Sequence, residues 1–370
     1  MNKPKIAIVH EFLDQYGGAE KTLEAICEIF PDSPIYTAKY NKKNLSDYLN
    51  HREIIHPKTS LKIFGKLSFL LRMPLIFESF DFSNYDIVIS DGTTWNKGIL
   101  TTPEQLHITY IHTPPRFLYG YSQETTKWNK WHLKPIYTYL VNFIRLWDYI
   151  AAQRPDYILV NSNEVKKRVQ KFYGRKAEVI NPPVDIIYKL EKNMKIPEGD
   201  YFIAIGRLSA YKNFDLLIKA FNKLDKKLVI VGTGLEEQKL KNTANENIIF
   251  KGRVSDLEKH TLLEGALGLI NAVDNEDFGI VPIEALAHGV PVLVHRSGGH
   301  LETIKENETG LFFDELNENH LIKRIEDFDQ AIKASMFNKQ KIKESSQRFS
   351  KERFKKEFKD FVWKKWKENA

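Results

Sequence analysis

The stretch Asn275 to Val292, NEDFGIVPIEALAHGVPV, decides how the rest of this chain is read. Glu276 and Glu284 stand eight positions apart in it, with Phe278, Gly279 and Pro282 between them. Ile283 to Ala287 reads as a helix, and His288, Gly289, Val290 and Pro291 end it and turn the chain into an apolar strand. Glu276 therefore belongs to a loop just before a helix, and Glu284 lies about a turn inside it. Carboxylates that far apart do not share a proton; they read as acceptors for two separate groups of hydroxyls on one extended ligand. The free amides of the helix start, from Gly279 through Ile280 to Val281, would meet phosphates between those groups. A sugar nucleotide fits that description.

Upstream lie Gly206-Arg207-Leu208-Ser209 and Lys212-Asn213. Read with them, the segment resembles the retaining family 4 glycosyltransferases of the GT-B fold. Their signature is two glutamates with seven residues between, preceded by a Gly-Arg strand end and a Lys-Asn pair. Either acid alone would read as an ordinary solvated Glu; the pair, at this distance after the Gly-Arg strand, reads as functional. The resemblance implies an α/β chain of GT-B architecture, two Rossmann-like domains facing across a cleft. It also implies that Glu276 holds hydroxyls of the transferred hexose and Glu284 the ribose hydroxyls. Phe278, Gly279, Ile280 and Val281 would face the donor, and Val254, in Lys251-Gly252-Arg253-Val254, falls where the family's base-binding backbone lies. Ser297-Gly298-Gly299 with Glu302 would form a further cleft-side loop.

Bulk properties fit two domains, since 370 residues exceed the size at which a single core stops growing. The one cysteine, Cys27, sits in an apolar helical stretch, which leaves no intramolecular disulfide and fits a reducing, cytosolic setting. Lys5 to Val9 is too short for the core of a signal peptide and reads as a first strand, and no apolar run approaches the ~20 residues that span a bilayer. Cys/His ligand spacings and clustered acids are absent, so neither a metal nor any other cofactor is expected beside the nucleotide-sugar substrate.

The net charge of +7 matters through where the bases fall. Lys58 to Phe80 interleaves Lys58, Lys62, Lys66 and Arg72 with apolar residues, and the C-terminal tail does the same around Phe354, Phe358, Phe361, Trp363 and Trp366. Such stretches either lie on anionic membrane surfaces or pack their apolar faces on the core. For the tail the packing reading is preferred; for Lys58 to Phe80 both stand, and with them a place at the inner face of the cell membrane. Acids are scattered throughout and no nucleic-acid-binding motif is present, so nucleic acid is not an expected partner.

Apolar runs alternating with helical patterns predict parallel sheets of β-α-β units. Strands are expected at Ile6 to Val9, Asp86 to Ser90, Ile108 to Ile111 and Tyr157 to Val160. A second series runs through Phe202 to Ile205, Leu228 to Val231, Ile248 to Phe250, Leu269 to Asn271 and Val290 to Val294. Asn181-Pro182-Pro183 cannot lie inside a helix or central strand and marks the boundary. The expected division is an acceptor-side domain over 1–187 and a nucleotide-sugar-binding domain over 188–346. Lys189 to Lys195 reads as linker, and a helix over 347–370 would cross back onto the first domain, as in the family.

Gly17 and Gly18, between the first strand and the helix Ala19 to Phe30, open a helix start toward anions. The family has a glycine-rich loop there, facing the donor; Glu20 reads as a helix-start acid. His112 ends a strand in Tyr110-Ile111-His112-Thr113-Pro114-Pro115-Arg116, where an imidazole can accept or donate near neutral pH. Most lone histidines simply bond a backbone carbonyl, but family members carry a His in this loop near the donor sugar and the acceptor. Arg116 reads equally as a grip on an anionic acceptor group and as a loop brace.

Transfer from a nucleotide sugar leaves a diphosphate, whose charge would fall to Arg207, able to fork onto two oxygens, and to the compact Lys212. His112, Arg207, Lys212 and Glu276 are thus the candidate catalytic residues. The H-T-P-P-R form resembles that of bacterial mannosyltransferases of lipopolysaccharide core and O-antigen assembly, which implies GDP-mannose as donor and a glycan or lipid-linked glycan as acceptor. A UDP-hexose such as UDP-glucose remains the alternative donor, and an inactive sugar-nucleotide-binding scaffold the alternative of another class.

Overall fold

The computed structural model describes residues 3–57, 65–121, 134–186 and 199–369. The chain forms two compact units. The first takes in the chain up to Pro183 together with the stretch from Lys351 onward, and the second runs from Val184 to Ser350.

The first unit is a seven-stranded parallel sheet. Its strands are β1 (Ile6–Leu13), β2 (Ile35–Tyr40), β3 (Ile54–Ile55), β4 (Ile87–Gly92), β5 (Leu106–Ile111), β6 (Tyr157–Val160) and β7 (Glu178–Val179). Their spatial order is β3-β2-β1-β4-β5-β6-β7. Every residue of β4 and β5 is buried, as expected of central parallel strands covered on both faces. Sequence patterning passes over β2, whose IYTAKY mixes polar with apolar residues, and over the two-residue β3 and β7, too short to carry a period. It also ends β1 at Val9, whereas the strand continues and brings His10 into register with Asp91 of β4.

The helix Lys351–Asn369 belongs to this unit. Phe354, Phe358 and Phe361 recur at helical spacing and are buried with Ile8, Leu23 and Ile108, while Lys351 and Lys355 pair with Glu28. The tail therefore packs on a core. Of the stretch Lys58 to Phe80, residues 58–64 lie outside the described residues, as does the linker Lys189 to Lys195. The helix Gly65–Glu78 buries Met73 and Phe77 and exposes Leu71 and Leu75. None of the described helices is long and apolar enough to cross a membrane.

The second unit is a six-stranded parallel sheet of β8 (Phe202–Ile205), β9 (Leu228–Val231), β10 (Ile248–Gly252), β11 (Gly268–Asn271), β12 (Val292–His295) and β13 (Gly310–Phe313). Their order is β10-β9-β8-β11-β12-β13. Sequence patterning misses only β13. Residues 347–350 stay with this unit, because Phe349 is buried against Val184, Phe278 and Ile283.

Candidate active site

In parallel α/β sheets ligands bind beyond the carboxyl ends of the strands. In the second unit the loops after β8, β11 and β12, three neighbours in the sheet, carry the predicted residues. Gly206 and the exposed Arg207 follow β8, and a short turn then presents Lys212. Asn213, at a left-handed φ of 55°, ends that turn, and its side-chain amide donates to Ala272 O (2.8 Å), tying the Lys212 loop to the segment after β11.

Lys212 Nζ lies 2.8 Å from Glu276 Oε2, with side chains 18% and 12% exposed. Burial works against the Lys212 charge, but Glu276 and the neighbouring Tyr211 outweigh it and hold the ammonium above the usual lysine range. Glu276 is in turn braced by the loop after β12. Ser297 Oγ accepts from Asn275 N–H (2.9 Å), and Gly299 N–H donates to Glu276 O (2.8 Å). A Cβ on Gly298 would stand 2.3 Å from Glu276 O, and one on Gly299 2.5 Å from Phe278 Cα, so the two loops pack backbone on backbone.

Gly279, at φ 94°, caps the helix Ile280–Ala287. The first-turn amides, Ile280 and Val281 among them, have no acceptor within the helix, and Pro282 at the third position gives up no intrahelical bond. Glu284 is buried in the same helix, its Oε1 2.7 Å from Lys259 Nζ. The Phe278 ring is enclosed by Val184, Ile283 and Phe349, so only its backbone can meet a ligand. Val254 is half-buried beyond β10, just after Gly252 at φ 66°. Asp256 opens the helix Asp256–Glu264, which Ser255 caps by accepting from Glu258 N–H (3.1 Å).

Three features of this unit escape the sequence reading. Gly232 and Gly234 follow β9, and Cβ atoms there would stand 1.9 Å from Gly206 O and 2.2 Å from Leu208 O; the G-T-G directly after an apolar strand was the available signal. Lys259 is one lysine among many on helices and carries no signal. His300 is fully buried beside Gly279, bonded at 2.9 Å to His295 O through Nδ1 and without a hydrogen-bond partner at Nε2. Burial lowers its pKa despite the pull of Glu276.

In the first unit, His112 follows β5 directly. Its N–H donates to Gly92 O (3.0 Å) and its carbonyl accepts from the Asn161 amide (2.8 Å). Its Nε2 stands 2.9 Å from Asp91 Oδ1, a charge contact whose angle falls short of an aligned hydrogen bond. Asp91 Oδ2 meets His10 Nδ1 at 2.9 Å. Neither His10 nor Asp91 was singled out from sequence; the signal was a polar residue directly after the apolar run of a central strand. Gly17 caps the helix Gly18–Ile29, and Glu20 is a buried member of that cap, accepting from Gly17 N–H at 2.7 Å. Arg116 begins the short helix Arg116–Tyr119, its guanidinium 5.4 Å from the Tyr121 ring.

Two Rossmann-like parallel sheets, one of them ending in paired acids, cations and a glycine-capped helix start, define the class: a two-domain glycosyltransferase. Residues 188–344 match the family described as Glycosyl transferases group 1. The alpha-1,3/1,6-mannosyltransferase ALG2 of Kluyveromyces lactis is 27% identical over 383 aligned positions, covering 85% of this chain and 74% of that protein. The GDP-Man:Man(3)GlcNAc(2)-PP-Dol alpha-1,2-mannosyltransferase of Mus musculus is 30% identical, but the match covers 45% of this chain and 38% of that protein. Among solved structures, Anabaena Alr3699/HepE in complex with UDP shares the fold. The TM-score is 0.70 at 16% identity, over 97% of this chain and 100% of that one.

Proposed function

We propose that this glycosyltransferase moves mannose from GDP-mannose, with retention of anomeric configuration, to a glycan or lipid-linked glycan acceptor during assembly of a lipopolysaccharide or other surface polysaccharide. The Lys212–Glu276 pair carries this reading: a cation for the departing diphosphate and an acceptor for hexose hydroxyls stand in contact at one sheet end. Arg207 and the first-turn amides of Ile280–Ala287 add donors for the phosphates, and Glu284 takes the ribose hydroxyls. With that many fixed donors the reaction requires no metal. The acceptor hydroxyl attacks from the face that the diphosphate leaves and gives its proton to a phosphate oxygen.

The mannosyltransferase names of the relatives, and GDP-Man in one of them, support the donor. A UDP-hexose is the second reading, favoured by a structural neighbour that holds UDP. The described surface also supports a peripheral place at the inner face of the membrane. The helix Lys134–Ala151 exposes Tyr139, Phe143, Leu146, Tyr149 and Ile150, and the helix Gly65–Glu78 that touches it exposes Leu71 and Leu75.

A thermal-shift panel with GDP, UDP, ADP, dTDP and CDP tests the donor. A nucleotide at 100 times its Kd adds about 2.7 kcal/mol of stability. A shift with GDP, lost in Glu284→Ala, supports GDP-mannose, whereas a shift with UDP alone transfers the reading to a UDP-hexose. Transfer from GDP-mannose followed by NMR of the product anomer tests retention, and an inverted product would overturn it.

A further inference from the structure

The carboxyl ends of β1, β4 and β5, adjacent in the first sheet, hold a row of alternating charges. His10 pairs in register with Asp91, and Asp91 with Tyr110, two positions before His112. Along the row, Glu20 Oε1 stands 3.9 Å from His10 Nε2, His10 Nδ1 2.9 Å from Asp91 Oδ2, and Asp91 Oδ1 2.9 Å from His112 Nε2. Asp91 is fully buried and His10 and Glu20 nearly so; the His112 side chain alone reaches solvent, at 16%. Burying three ionisable groups costs stability that apolar side chains would not.

The neighbours do not account for the row. Glu11 caps the turn after β4 through the amides of Thr93, Thr94 and Trp95. Tyr110 donates to Ile180 O, with Arg353 acting on it from the last helix. Cys27 and Glu24 lie on the first helix, with Glu24 bonded to Tyr16 and Ser46.

We propose that Asp91 and His10 are positioning residues for transfer: Asp91 holds the His112 ring through Nε2, so that Nδ1 is presented as the acceptor for a sugar hydroxyl, and His10 offsets the Asp91 charge. A neutral imidazole has one N–H, and the charge of a carboxylate 2.9 Å from Nε2 favours the tautomer with the proton on that nitrogen, even without an aligned hydrogen bond, leaving the Nδ1 lone pair for a ligand. Asp91 alone would leave an uncompensated negative charge beside that ring. His10 offsets that charge. Burial disfavours its charge, but Asp91 and Glu20 outweigh burial and push it up to about 10, so it stays a cation beside Asp91. Glu20 balances the far side of His10 and also accepts from Gly17 N–H, which ties the row to the glycine loop. This inference rests on the reading of His112 as a ligand-facing residue of a transferase.

The test compares kcat and KM from pH 5.5 to 9 in the native enzyme, His10→Gln and Asp91→Asn, with GDP- or UDP-induced thermal shift as a check on the second unit. Loss of the His10 charge is expected to move the acid limb of the kcat profile to higher pH, and loss of the Asp91 charge to move it to lower pH. Each variant should lose ~10-fold or more in plateau kcat with nucleotide binding unchanged. Folded variants with a native profile, or limbs that move in the same direction, would overturn the proposal. Should either variant not fold, long-range 1H–15N correlation of native histidines at pH 7.5 decides: protonation of His112 at Nε2 alone supports the row, and protonation at Nδ1 sinks it. A native enzyme that binds no nucleotide and transfers no sugar would count against the transferase reading, while the ring spectrum would still judge the row.

Discussion

Lys212 and Glu276, 64 positions apart in sequence, form an ion pair at 2.8 Å where two neighbouring strands of the second sheet end. Glu276 supports the Lys212 charge, and the contact orients both side chains. Lys212→Met strands a largely buried carboxylate, so it should cost about 1–3 kcal/mol of stability and lower kcat by ~100-fold. Because Lys212 is held above its ordinary range, the pair's contribution is fully present below the usual lysine pKa and is lost only as pH rises through the raised value. Arg207 is exposed, so Arg207→Ala should slow transfer comparably while changing stability by no more than about 0.5 kcal/mol. Urea unfolding and steady-state kinetics on both variants decide this; near-native kcat in either, with the fold intact, removes that cation from the mechanism.

Glu284 and Lys259 should behave as one unit. Glu284→Ala and Lys259→Met each leave a partner in a mostly buried place, and a double-mutant cycle should show a coupling of about 0.5–3 kcal/mol. Independent, additive effects on unfolding would mean that the 2.7 Å contact carries no energy.

Gly298→Ala should harm the site more than the fold. The backbone is left-handed there, at φ 57°, and the new Cβ would press on Glu276 O, so about 1–3 kcal/mol of strain is expected. The measurable result is a raised donor KM from a displaced Glu276. An unchanged KM would show that the Glu276 loop tolerates the shift.

His10 should make the fold weaken at alkaline pH. Its folded pKa, about 10, lies above the ordinary 6.5, so its contribution is complete below about pH 6.5 and disappears as pH climbs through about 10. Asp91, depressed by His112 and His10 against the effect of burial, gives the opposite limb: stability present above the ordinary aspartate range and lost as pH falls through the lowered value. Denaturation at pH 6.5, 8 and 10 should reveal a loss of no more than roughly 5 kcal/mol that His10→Gln abolishes. An equal loss in the variant would assign it to other groups.

The exposed apolar face of Lys134–Ala151 should bind anionic vesicles. Phe143 and Leu146 are 56% and 60% exposed, so Phe143→Asp with Leu146→Asp should leave melting nearly unchanged and reduce co-sedimentation with phosphatidylglycerol vesicles several-fold. Native protein that stays in the supernatant would refute the peripheral reading.

Most of the two sheets was legible because central parallel strands are short, wholly apolar runs between helices, as in Tyr157–Val160 and Leu228–Val231. β2 was missed because IYTAKY mixes polar with apolar residues, and β13 because its run of four residues at the sheet edge is too short to carry a period. The spacing of Glu276 and Glu284 across Gly279 and Pro282 was readable for a similar reason, since a loop, a cap and a helix turn are local events.

Contacts between distant side chains were not readable. No local rule says that Lys259 reaches Glu284, that a Cβ at Gly298 would strike Glu276, or that His10, Asp91 and His112 meet across three adjacent strands. By itself the sequence determined the α/β class, the motif order and the local conformation of the second unit's loops, because hydrophobic period, glycine and proline act over a few residues. Only the tertiary structure decided the strand order and register, and with them which charges meet. Those follow from packing whole elements against one another, where a buried acid takes as partner whichever cation the sheet order brings to it.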